Sequence, residues 1–455
     1  MKILFVNEKC GFFGGVEQNV FDCARALKKR GHQTFLVFSS LSGRDELTFK
    51  SVFDSLFAFP EVFEKTNLSK NDNFFSWVME KKPDVIYLHK IQTIRNFIAL
   101  SRYFPLVRMI HDHDLCCPRK HKYYFHNGKI CENKAGLRCF FDLAFIEKGP
   151  RGICFKSLKR HFAEMRRNQR ISTLIAGSNW MADELAQNGF KAEKIRIVHP
   201  IVDIGPPVSV EASSHCEKSC QQDSDNQFSC KNVAGLKDQP ENNAVPSPLK
   251  SNDLGEGSDF SLRDSSEATI LYVGQLIRGK GVDIFLDALS RLNCTWRTSI
   301  VGDGNARASL EKQVRRLGLQ GRISFSGWVD HEQLRNFYDS ADIVVVPSRW
   351  PEPFGMVGLE SMRYQKPVVA FSVGGIPDWL ENEKNGILVP PANPELFALA
   401  LKKLIKNPDL RRQMGLNGRK ILSEKFSFEK YISRIEAILF DVSCRVALNM
   451  KQRIP

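Results

Sequence analysis

The chain has 455 residues and a formal net charge of +14 at pH 7, and this length suits two domains of about 200 residues each. No apolar run reaches the roughly 18 residues of a membrane span, and the opening run Met1–Asn7 is too short for the apolar core of a signal peptide. We therefore expect a cytoplasmic protein whose twelve cysteines are thiols and not parts of a disulfide framework.

The charge is unevenly distributed along the chain. Residues 205–267 hold eleven acidic and five basic side chains, so this segment carries −6 and the remainder carries +20. The segment is also rich in Ser, Asn, Gln, Asp and Pro and shows no hydrophobic periodicity, which predicts a disordered insertion. A folded body with a charge of +20 favours anionic partners such as nucleotides, phospholipid surfaces or nucleic acid.

The first 204 residues predict strands that alternate with helices. An amphipathic helix is predicted over Gly15–Lys29, and a second helix runs from about Phe155 to Arg170. Short apolar runs predict strands at Ile3–Val6, Thr34–Phe38, Asp84–Leu88, Leu106–Ile110, Thr173–Ala176 and Ile195–Val198. This alternation predicts a doubly wound, Rossmann-like parallel sheet.

The same alternation returns after residue 267. Predicted strands are Ala268–Val273, Arg297–Val301, Ile323–Phe325, Asp342–Pro347 and Val368–Phe371, and predicted helices are Val282–Leu292, Ala306–Leu317, Glu332–Ala341, Leu396–Ile405, Met414–Leu422 and Phe428–Phe440. The pattern predicts a Rossmann-like domain over 1–204, the insertion over 205–267 near the hinge, a second Rossmann-like domain over 268–425 and a helical segment over 426–455.

The stretch from Pro351 to Tyr364 follows an apolar strand and opens a helix. Gly355 lets the backbone approach a ligand closely where the helix begins, and the free N–H groups of a helix start suit a phosphate or a sugar hydroxyl. Glu360 lies one turn beyond Met356, so its carboxylate shares that helix face and can accept hydrogen bonds from a vicinal diol. On spacing alone, the alternative is that these carboxylates are solvated charges.

Two glycine-rich turns each join a strand to a helix. Gly14 and Gly15 belong to the first turn, and the second turn runs from Gly274 to Gly281. Glycines at such turns bring backbone N–H groups to an anion. The first turn lacks the spacing of a dinucleotide fingerprint, and an ordinary strand–helix turn is its alternative.

The run from His111 to Asp114 ends a predicted strand with alternating imidazoles and carboxylates. Such a set suggests a metal site. Alternate residues at a strand end point to opposite faces, however, so His111 and His113 do not easily converge on one ion. We assign no metal ligand here.

Four stretches, in this order, resemble the signatures of the retaining family 4 glycosyltransferases of GT-B fold, also called glycosyl transferases group 1. The stretches are Gly14–Glu17, Tyr272–Gly281, Glu352–Glu360 (written Glu-Pro-Phe-Gly-x-x-x-x-Glu) and Val373–Asp378. The resemblance covers most of the chain outside residues 205–267. It implies two Rossmann-like domains that face a cleft, with the terminal helical segment crossing back onto the first, acceptor-side domain.

The resemblance also implies roles around a nucleotide diphosphate sugar. His111 would hydrogen-bond to the donor sugar, Glu352 would hold the hexose and Lys280 the diphosphate, so these three are the catalytic candidates. The family usually carries an arginine where Gln275 stands, and Arg278 is the candidate substitute. The donor-binding set is Gly14, Gly15, Gly274, Arg278, Lys280, Phe354, Gly355, Met356 and, at the ribose, Glu360.

A cysteine cluster lies between the two predicted elements that end near 110 and begin near 155. Its members are Cys116, Cys117, Cys131, Cys139 and Cys154. A structural zinc site is one hypothesis. The spacing holds no close paired-cysteine knuckle, which favours reduced thiols in a long acceptor-side loop.

The predicted helix that begins near Phe155 is strongly basic. Apolar Phe155, Leu158 and Phe162 are interleaved with Lys and Arg, which is typical of a helix that lies on an anionic membrane. A solvated charged face is the alternative. Lipid-linked acceptors in the resembling family favour the membrane, so we expect a protein that is peripheral on the inner face of the cell membrane.

Together these patterns predict a retaining, metal-independent hexosyltransferase. It would move a sugar from a nucleotide diphosphate sugar to a hydroxyl of a lipid-linked or growing cell-surface glycan, as in polysaccharide biosynthesis. No pair of carboxylates with glycosidase geometry is evident, which fits transfer better than hydrolysis. We expect no cofactor beyond the co-substrate and no nucleic-acid partner. A GT-B nucleotide-sugar epimerase or sugar phosphorylase is the alternative, and a non-enzymatic anion-binding protein is a further one.

Overall fold

Two parallel sheets with helices on both faces make up the protein, as a computed structural model describes it for residues 1–63, 72–124, 129–149, 152–201 and 267–451. The predicted insertion over 205–267 lies outside these described residues, apart from Glu267. Within them, every helix is too short or too polar to cross a membrane.

The first half contains one large sheet and one hairpin. Its strands are β1 (Lys2–Cys10), β2 (Gln33–Leu41), β3 (Ser55–Ala58), β4 (Val85–Leu88), β5 (Leu106–Ile110), β6 (Ile146–Gly149), β7 (Gly152–Phe155), β8 (Thr173–Ala176) and β9 (Ile195–Ile197). The large sheet has the order β3-β2-β1-β4-β5-β8-β9, with parallel neighbours throughout. The residues from Ile3 to Val6 are solvent-inaccessible, as expected of a strand covered on both faces.

Eight helices surround this sheet in the described residues before 202. They are α1 (Gly15–Lys29), α2 (Glu46–Ser51), α3 (Pro60–Phe63), α4 (Asp72–Lys81), α5 (Arg95–Ile98), α6 (Arg138–Phe141), α7 (Leu158–Asn168) and α8 (Asn179–Gln187). The prediction of a helix from Phe155 was wrong at its start. Phe155 ends β7, and the Ser157 side chain caps α7 by accepting from the backbone N–H of Arg160.

The second half repeats the architecture with the strand order β12-β11-β10-β13-β14-β15. Its strands are β10 (Ala268–Val273), β11 (Trp296–Val301), β12 (Ile323–Gly327), β13 (Ile343–Val346), β14 (Val368–Phe371) and β15 (Gly386–Val389). Its helices are α9 (Val282–Leu289), α10 (Arg307–Arg316), α11 (His331–Ser340), α12 (Met356–Arg363), α13 (Pro394–Ile405), α14 (Pro408–Lys425) and α15 (Phe428–Lys451). Both large sheets therefore have a switch point, between β1 and β4 and between β10 and β13, where ligands bind in doubly wound folds.

Helix α15 packs against α1 of the first half. The hydroxyl of buried Tyr431 accepts from Asn19 Nδ2 at 2.8 Å and lies 3.4 Å from Cys23 Sγ. Arg30, just after α1, forms ion pairs with Glu429 and Glu436. Apolar burial and a partly exposed charge cluster thus fix this helix to the first half of the chain.

The connection from β5 to β8 forms a small unit of its own. It contains α6, the antiparallel hairpin β6–β7 and α7. Cys139, Ala144 and Leu158 form its buried centre, with Ala135, Phe145 and Phe162 packed around them. This core is too small to bury all the apolar residues of the segment.

Candidate active site

A cavity of about 410 Å³ lies where the carboxyl ends of both large sheets meet. The first half contributes the start of α1 and the end of β5, and the second half contributes the segments that follow β10 and β13. Several predicted site residues line it together: Gly15, His111, Lys280, Glu352, Phe354, Gly355 and Met356. Residues from distant parts of the sequence are therefore brought to one site at the switch points of the two sheets.

Lys280 and Glu352 meet at the floor of this cavity. The Lys280 ammonium lies 2.7 Å from Glu352 Oε1, and the same oxygen accepts a hydrogen bond from the Ser348 hydroxyl. Lys280 also lies over the ring of Trp350, 5.9 Å from its centroid. Since the Glu352 side chain is only 6% exposed, the pair holds a cation and a carboxylate in fixed positions beside the cavity.

The start of α12 supplies backbone donors to the same space. Gly355 is its N-cap residue, with φ of +95°, a conformation in which a side chain is strained. Phe354, Gly355 and Met356 line the cavity. The unpaired N–H groups of a helix start favour an anionic or hydroxyl ligand here.

Two glycines allow the surrounding turns to touch. At Gly281, with φ of +67°, an added Cβ would lie 1.9 Å from the Pro347 carbonyl oxygen. At Gly374, with φ of +57°, it would lie 2.2 Å from the carbonyl oxygen of Glu352. The turn that holds Lys280 and the turn after β14 therefore press directly on the backbone that carries Glu352.

His111 faces the cavity from the first half and is held by His89. His89 Nδ1 lies 3.1 Å from His111 Nε2, and buried His89 Nε2 has no hydrogen-bond partner among the residues that the structure describes. A buried N–H without an acceptor is costlier and rarer than an unused acceptor, so we assign the proton to His89 Nδ1, which donates to His111 Nε2. Neutral His111 then carries its own proton on Nδ1.

Burial keeps this histidine pair neutral. Burial, followed by the charges of Lys90 and Arg108, lowers the pKa of His111 to about 3. Burial also lowers the pKa of His89 well below its ordinary value, and His111 adds to that effect. His111 is therefore a neutral hydrogen-bond donor across the ordinary pH range and not a cation.

His113, two residues further on, connects the two halves. It is fully buried, and its Nε2 lies 2.6 Å from the carbonyl oxygen of Pro351. Because a carbonyl only accepts, Nε2 carries the proton. The ring also packs edge-on against Trp180 and Trp350, so His113 fixes the residue that precedes Glu352.

Four predicted residues lie outside the cavity lining. Gly14 is the N-cap residue of α1, next to Gly15, and Gly274 follows β10. Arg278 is exposed on the turn before Lys280, near Tyr123. Glu360 lies on α12 and accepts a hydrogen bond from the buried Tyr338 hydroxyl at 2.7 Å.

The cysteines of the predicted cluster differ in their exposure. Cys116, Cys117, Cys131 and Cys139 are buried, and Cys154 is exposed. In the described part of the chain no group of three or more His, Cys, Asp or Glu side chains has a geometry that could hold a metal ion.

Three residues shape this site in ways that the sequence analysis did not predict. They are His89, His113 and Tyr123, and the Tyr123 ring lies 3.3 Å from the position of a Cβ added to Gly279. Each acts through a contact with a distant part of the chain. The signal that the sequence offered was the position of His89 directly after β4 and of His113 shortly after β5, because strand ends gather at the site of such folds.

Comparison with known proteins agrees with this architecture. The model of Glycosyltransferase Family 4 matches residues 13–205, and that of Glycosyl transferases group 1 matches residues 257–421. An alpha-D-kanosaminyltransferase of Streptomyces kanamyceticus is 35% identical over 35% of this chain and 42% of its own length. A lipopolysaccharide core biosynthesis glycosyltransferase of Rhizobium meliloti is 32% identical over 35% of this chain and 46% of its own length. The chain thus spans less than half the length of these relatives.

Solved structures extend the likeness to nearly the whole chain. The crystal structure of Anabaena HepE in complex with UDP and glucose has a TM-score of 0.65, at 19% identity, over 97% of this chain and 100% of that one. At this identity the likeness shows the fold, which confirms the predicted GT-B class. The chain therefore has the GT-B fold, and the family models identify its first half as Glycosyltransferase Family 4 and its second half as Glycosyl transferases group 1.

Proposed function

We propose that this protein transfers a hexosyl sugar from a nucleotide diphosphate sugar to a hydroxyl acceptor, with retention of configuration. The observation that carries the proposal is the meeting of Lys280, Glu352 and His111 with the backbone donors of α12 in one cavity. HepE, which shares the fold, holds UDP and glucose, and this supports a nucleotide diphosphate sugar as donor.

The cation and the helix start suit the leaving group. As the bond between the sugar and the diphosphate breaks, negative charge grows on the departing phosphate oxygen. Groups aimed at that oxygen lower the barrier because they bind it more strongly in the transition state than in the ground state. Lys280 would supply the charge and the N–H groups at Gly355 and Met356 the hydrogen bonds, so transfer would need no divalent metal.

The carboxylate and the neutral imidazole suit the sugar. A diphosphate beside Lys280 would compete with Glu352 for the ammonium, and the carboxylate could then accept hydrogen bonds from sugar hydroxyls. His111 would donate from Nδ1 to an oxygen of the same sugar. A neutral donor there adds no positive charge beside an anomeric carbon that itself becomes positive.

The acceptor side belongs to the first half, whose long β5–β8 connection reaches, at Tyr123, the turn that holds Lys280. The named relative in lipopolysaccharide core biosynthesis supports a glycan of the cell surface as acceptor. A lipid-linked glycan fits the same class.

A donor panel tests the proposal. Thermal unfolding would be measured with UDP, GDP and ADP sugars, and release of the nucleoside diphosphate would then be followed with and without hydroxyl acceptors, before and after chelation of metals. We expect one donor to stabilise the protein and its turnover to depend on the acceptor and to survive chelation. Rapid conversion of the donor without an acceptor would instead indicate an epimerase or a hydrolase, and failure of every donor to bind would overturn the proposal.

A further inference from the structure

The β5–β8 connection exposes an unusual concentration of large apolar side chains. Leu137, Phe141, Leu143, Ile153 and Phe155 are 80%, 85%, 55%, 72% and 76% exposed. All five lie within one short segment formed by α6, the following loop and the hairpin β6–β7. We call these five residues the apolar patch. Leu137 and Phe141 are about one helical turn apart at α6, and Ile153 and Phe155 alternate along β7, so each pair shares a face. Exposed apolar side chains concentrated in this way mark surfaces that bind a partner.

The patch is distinct from the basic helix that the sequence suggested as a membrane contact. Leu158 of α7 is only 3% exposed and belongs to the small core with Cys139 and Ala144, and Phe162 packs against that core. Helix α7 therefore has no apolar face to offer to a membrane. Of the three predicted apolar contacts only Phe155 is exposed, and it belongs to β7.

Basic side chains flank the patch in sequence. Residues 134–160 contain seven Lys and Arg against two acidic residues, a net charge of +5. Lys134, Arg138, Lys159 and Arg160 are exposed. Apolar side chains next to Lys and Arg form the composition with which peripheral proteins enter the interface of an anionic bilayer, because apolar burial and attraction to the headgroups then act together.

We propose that the apolar patch inserts into the interfacial layer of an anionic lipid membrane, with the flanking basic side chains at the headgroups. Charge complementarity favours this occupant. A second copy of the chain would bring an identical segment of charge +5 against the first, and such like-charge contact opposes association. An anionic lipid surface instead offers charge of the opposite sign over the whole face.

The same connection joins this lipid contact to the turn that holds Lys280. Residues upstream of the patch form the loop that carries Tyr123, and the Tyr123 ring lies against Gly279 in the turn that holds Lys280. An acceptor held in the membrane would then lie beside the donor site. This last point rests on the proposed transferase activity, whereas the lipid contact itself does not.

Vesicle flotation with matched variants tests the proposal. The patch variant replaces Leu137, Phe141 and Ile153 by Ser. The control variant replaces Leu47, Leu399 and Phe440 by Ser, since these are also large and 58–83% exposed but lie elsewhere. Each protein would be floated with vesicles of phosphatidylcholine, with and without phosphatidylglycerol, at low and high salt.

We expect the wild-type chain and the control variant to float with phosphatidylglycerol vesicles, less so at high salt. The vesicle partition coefficient of the patch variant should be lower than that of the wild-type chain by a factor of about ten or more. Equal flotation of the patch and control variants, or no flotation of the wild-type chain, would overturn the proposal. So would light scattering that shows a wild-type dimer and a monomeric patch variant, because the patch would then bind a second copy.

Stabilisation by UDP, measured on all three proteins, keeps the two proposals separate. A patch variant that binds UDP like the wild-type chain is folded, so its loss of flotation would belong to the surface. If none of the UDP, GDP and ADP sugars of the donor panel stabilises any of the three proteins while flotation follows the patch, the proposed transferase activity fails and the lipid contact stands.

Discussion

Lys280 lies 2.7 Å from Glu352, and this contact directs its ammonium toward the cavity. Lys280→Ala removes the cation that would meet the growing charge on the departing phosphate. We expect kcat to fall by about 10² to 10³, measured as nucleotide release at saturating donor. Lys312→Ala, which removes an exposed lysine on α10, is the control and should leave kcat unchanged.

Arg278→Ala tests whether Arg278 supports Lys280 in binding the departing phosphate. A fall in kcat comparable to that of Lys280→Ala would show that it does, and a nearly unchanged kcat would show that it does not.

Glu360 should behave differently from Lys280. Its proposed partner is a ribose diol whose charge does not change during transfer, so Glu360→Ala removes an interaction made equally in ground and transition states. We expect a raised donor KM with kcat largely kept, read from the same steady-state series. A fall in kcat with unchanged KM would contradict the ribose assignment.

His89 offers a test of hydrogen-bond geometry at the resolution of single atoms. The amide nitrogen of Asn can take the place of Nδ1, whereas that of Gln takes the place of Nε2. His89→Asn should therefore keep the hydrogen bond to His111 and most of kcat. His89→Gln loses this hydrogen bond, and its kcat should fall roughly tenfold, the effect expected from the loss of one hydrogen bond. Equal kcat in the two variants, at equal thermal stability, would mean that His89 merely fills space.

At the scale of elements, the turn after β14 depends on Gly374. An added Cβ would lie 2.2 Å from the Glu352 carbonyl oxygen, in a backbone of positive φ. Gly318 is a matched position with φ of +69°, where an added Cβ would lie more than 4 Å from every described residue other than its chain neighbours. We expect Gly318→Ala to cost about 1 kcal/mol of unfolding free energy and to keep activity. Gly374→Ala should lower the free energy of unfolding by more than this and should also lower kcat, because Glu352 must move. Equal effects of the two substitutions would argue against a close contact between Gly374 and the Glu352 backbone.

The apolar runs of the sequence predicted the central strands well. Ala268–Val273, Leu106–Ile110 and Val368–Phe371 were predicted with the bounds they have in the structure, because strands buried on both faces have nearly continuous apolar sequences. The edge strands β3 and β15 were missed. Each begins at a turn-forming residue, Ser55 or Gly386, and is followed closely by a proline, Pro60 or Pro390. Such residues favour the interpretation of a short apolar run as part of a loop.

The hairpin β6–β7 was missed for a different reason. Ile153-Cys154-Phe155 precedes a basic amphipathic run, and the two were merged into one helix. Ser157, an N-cap residue three positions before Arg160, was the available signal. The site followed the same division: motif residues could be predicted, whereas His89 and His113 depend on contacts that only the folded chain makes.

At the scale of the whole molecule, His113 couples the two halves to pH. Burial lowers the pKa of His113 to about 4, against about 6.5 in an unfolded chain. Below pH 6.5 the unfolded chain binds more protons, so stability is lost as pH falls from about 6.5 to about 4. Gln can donate to the Pro351 carbonyl from the position of Nε2 without titrating.

The variant His113→Gln should therefore lose less stability on acidification than the wild-type chain, by up to roughly 3 kcal/mol between pH 7 and pH 4. Urea unfolding at a series of pH values measures this difference. His113→Ala, which loses the bond at every pH, should be less stable already at pH 7. Parallel curves for the wild-type chain and His113→Gln would show that another group governs acid unfolding.

The contact between α15 and α1 has a consequence for how the chain is made. Tyr431 meets Cys23 across 408 positions of sequence, and a ribosome that adds 5–20 residues each second needs about 20–80 s to make the intervening chain. During that time the face of α1 that will hold Tyr431, around Asn19 and Cys23, is exposed. A nascent first half should accordingly be a substrate for chaperones until residues 428–442 emerge. The half that is synthesised first is completed last.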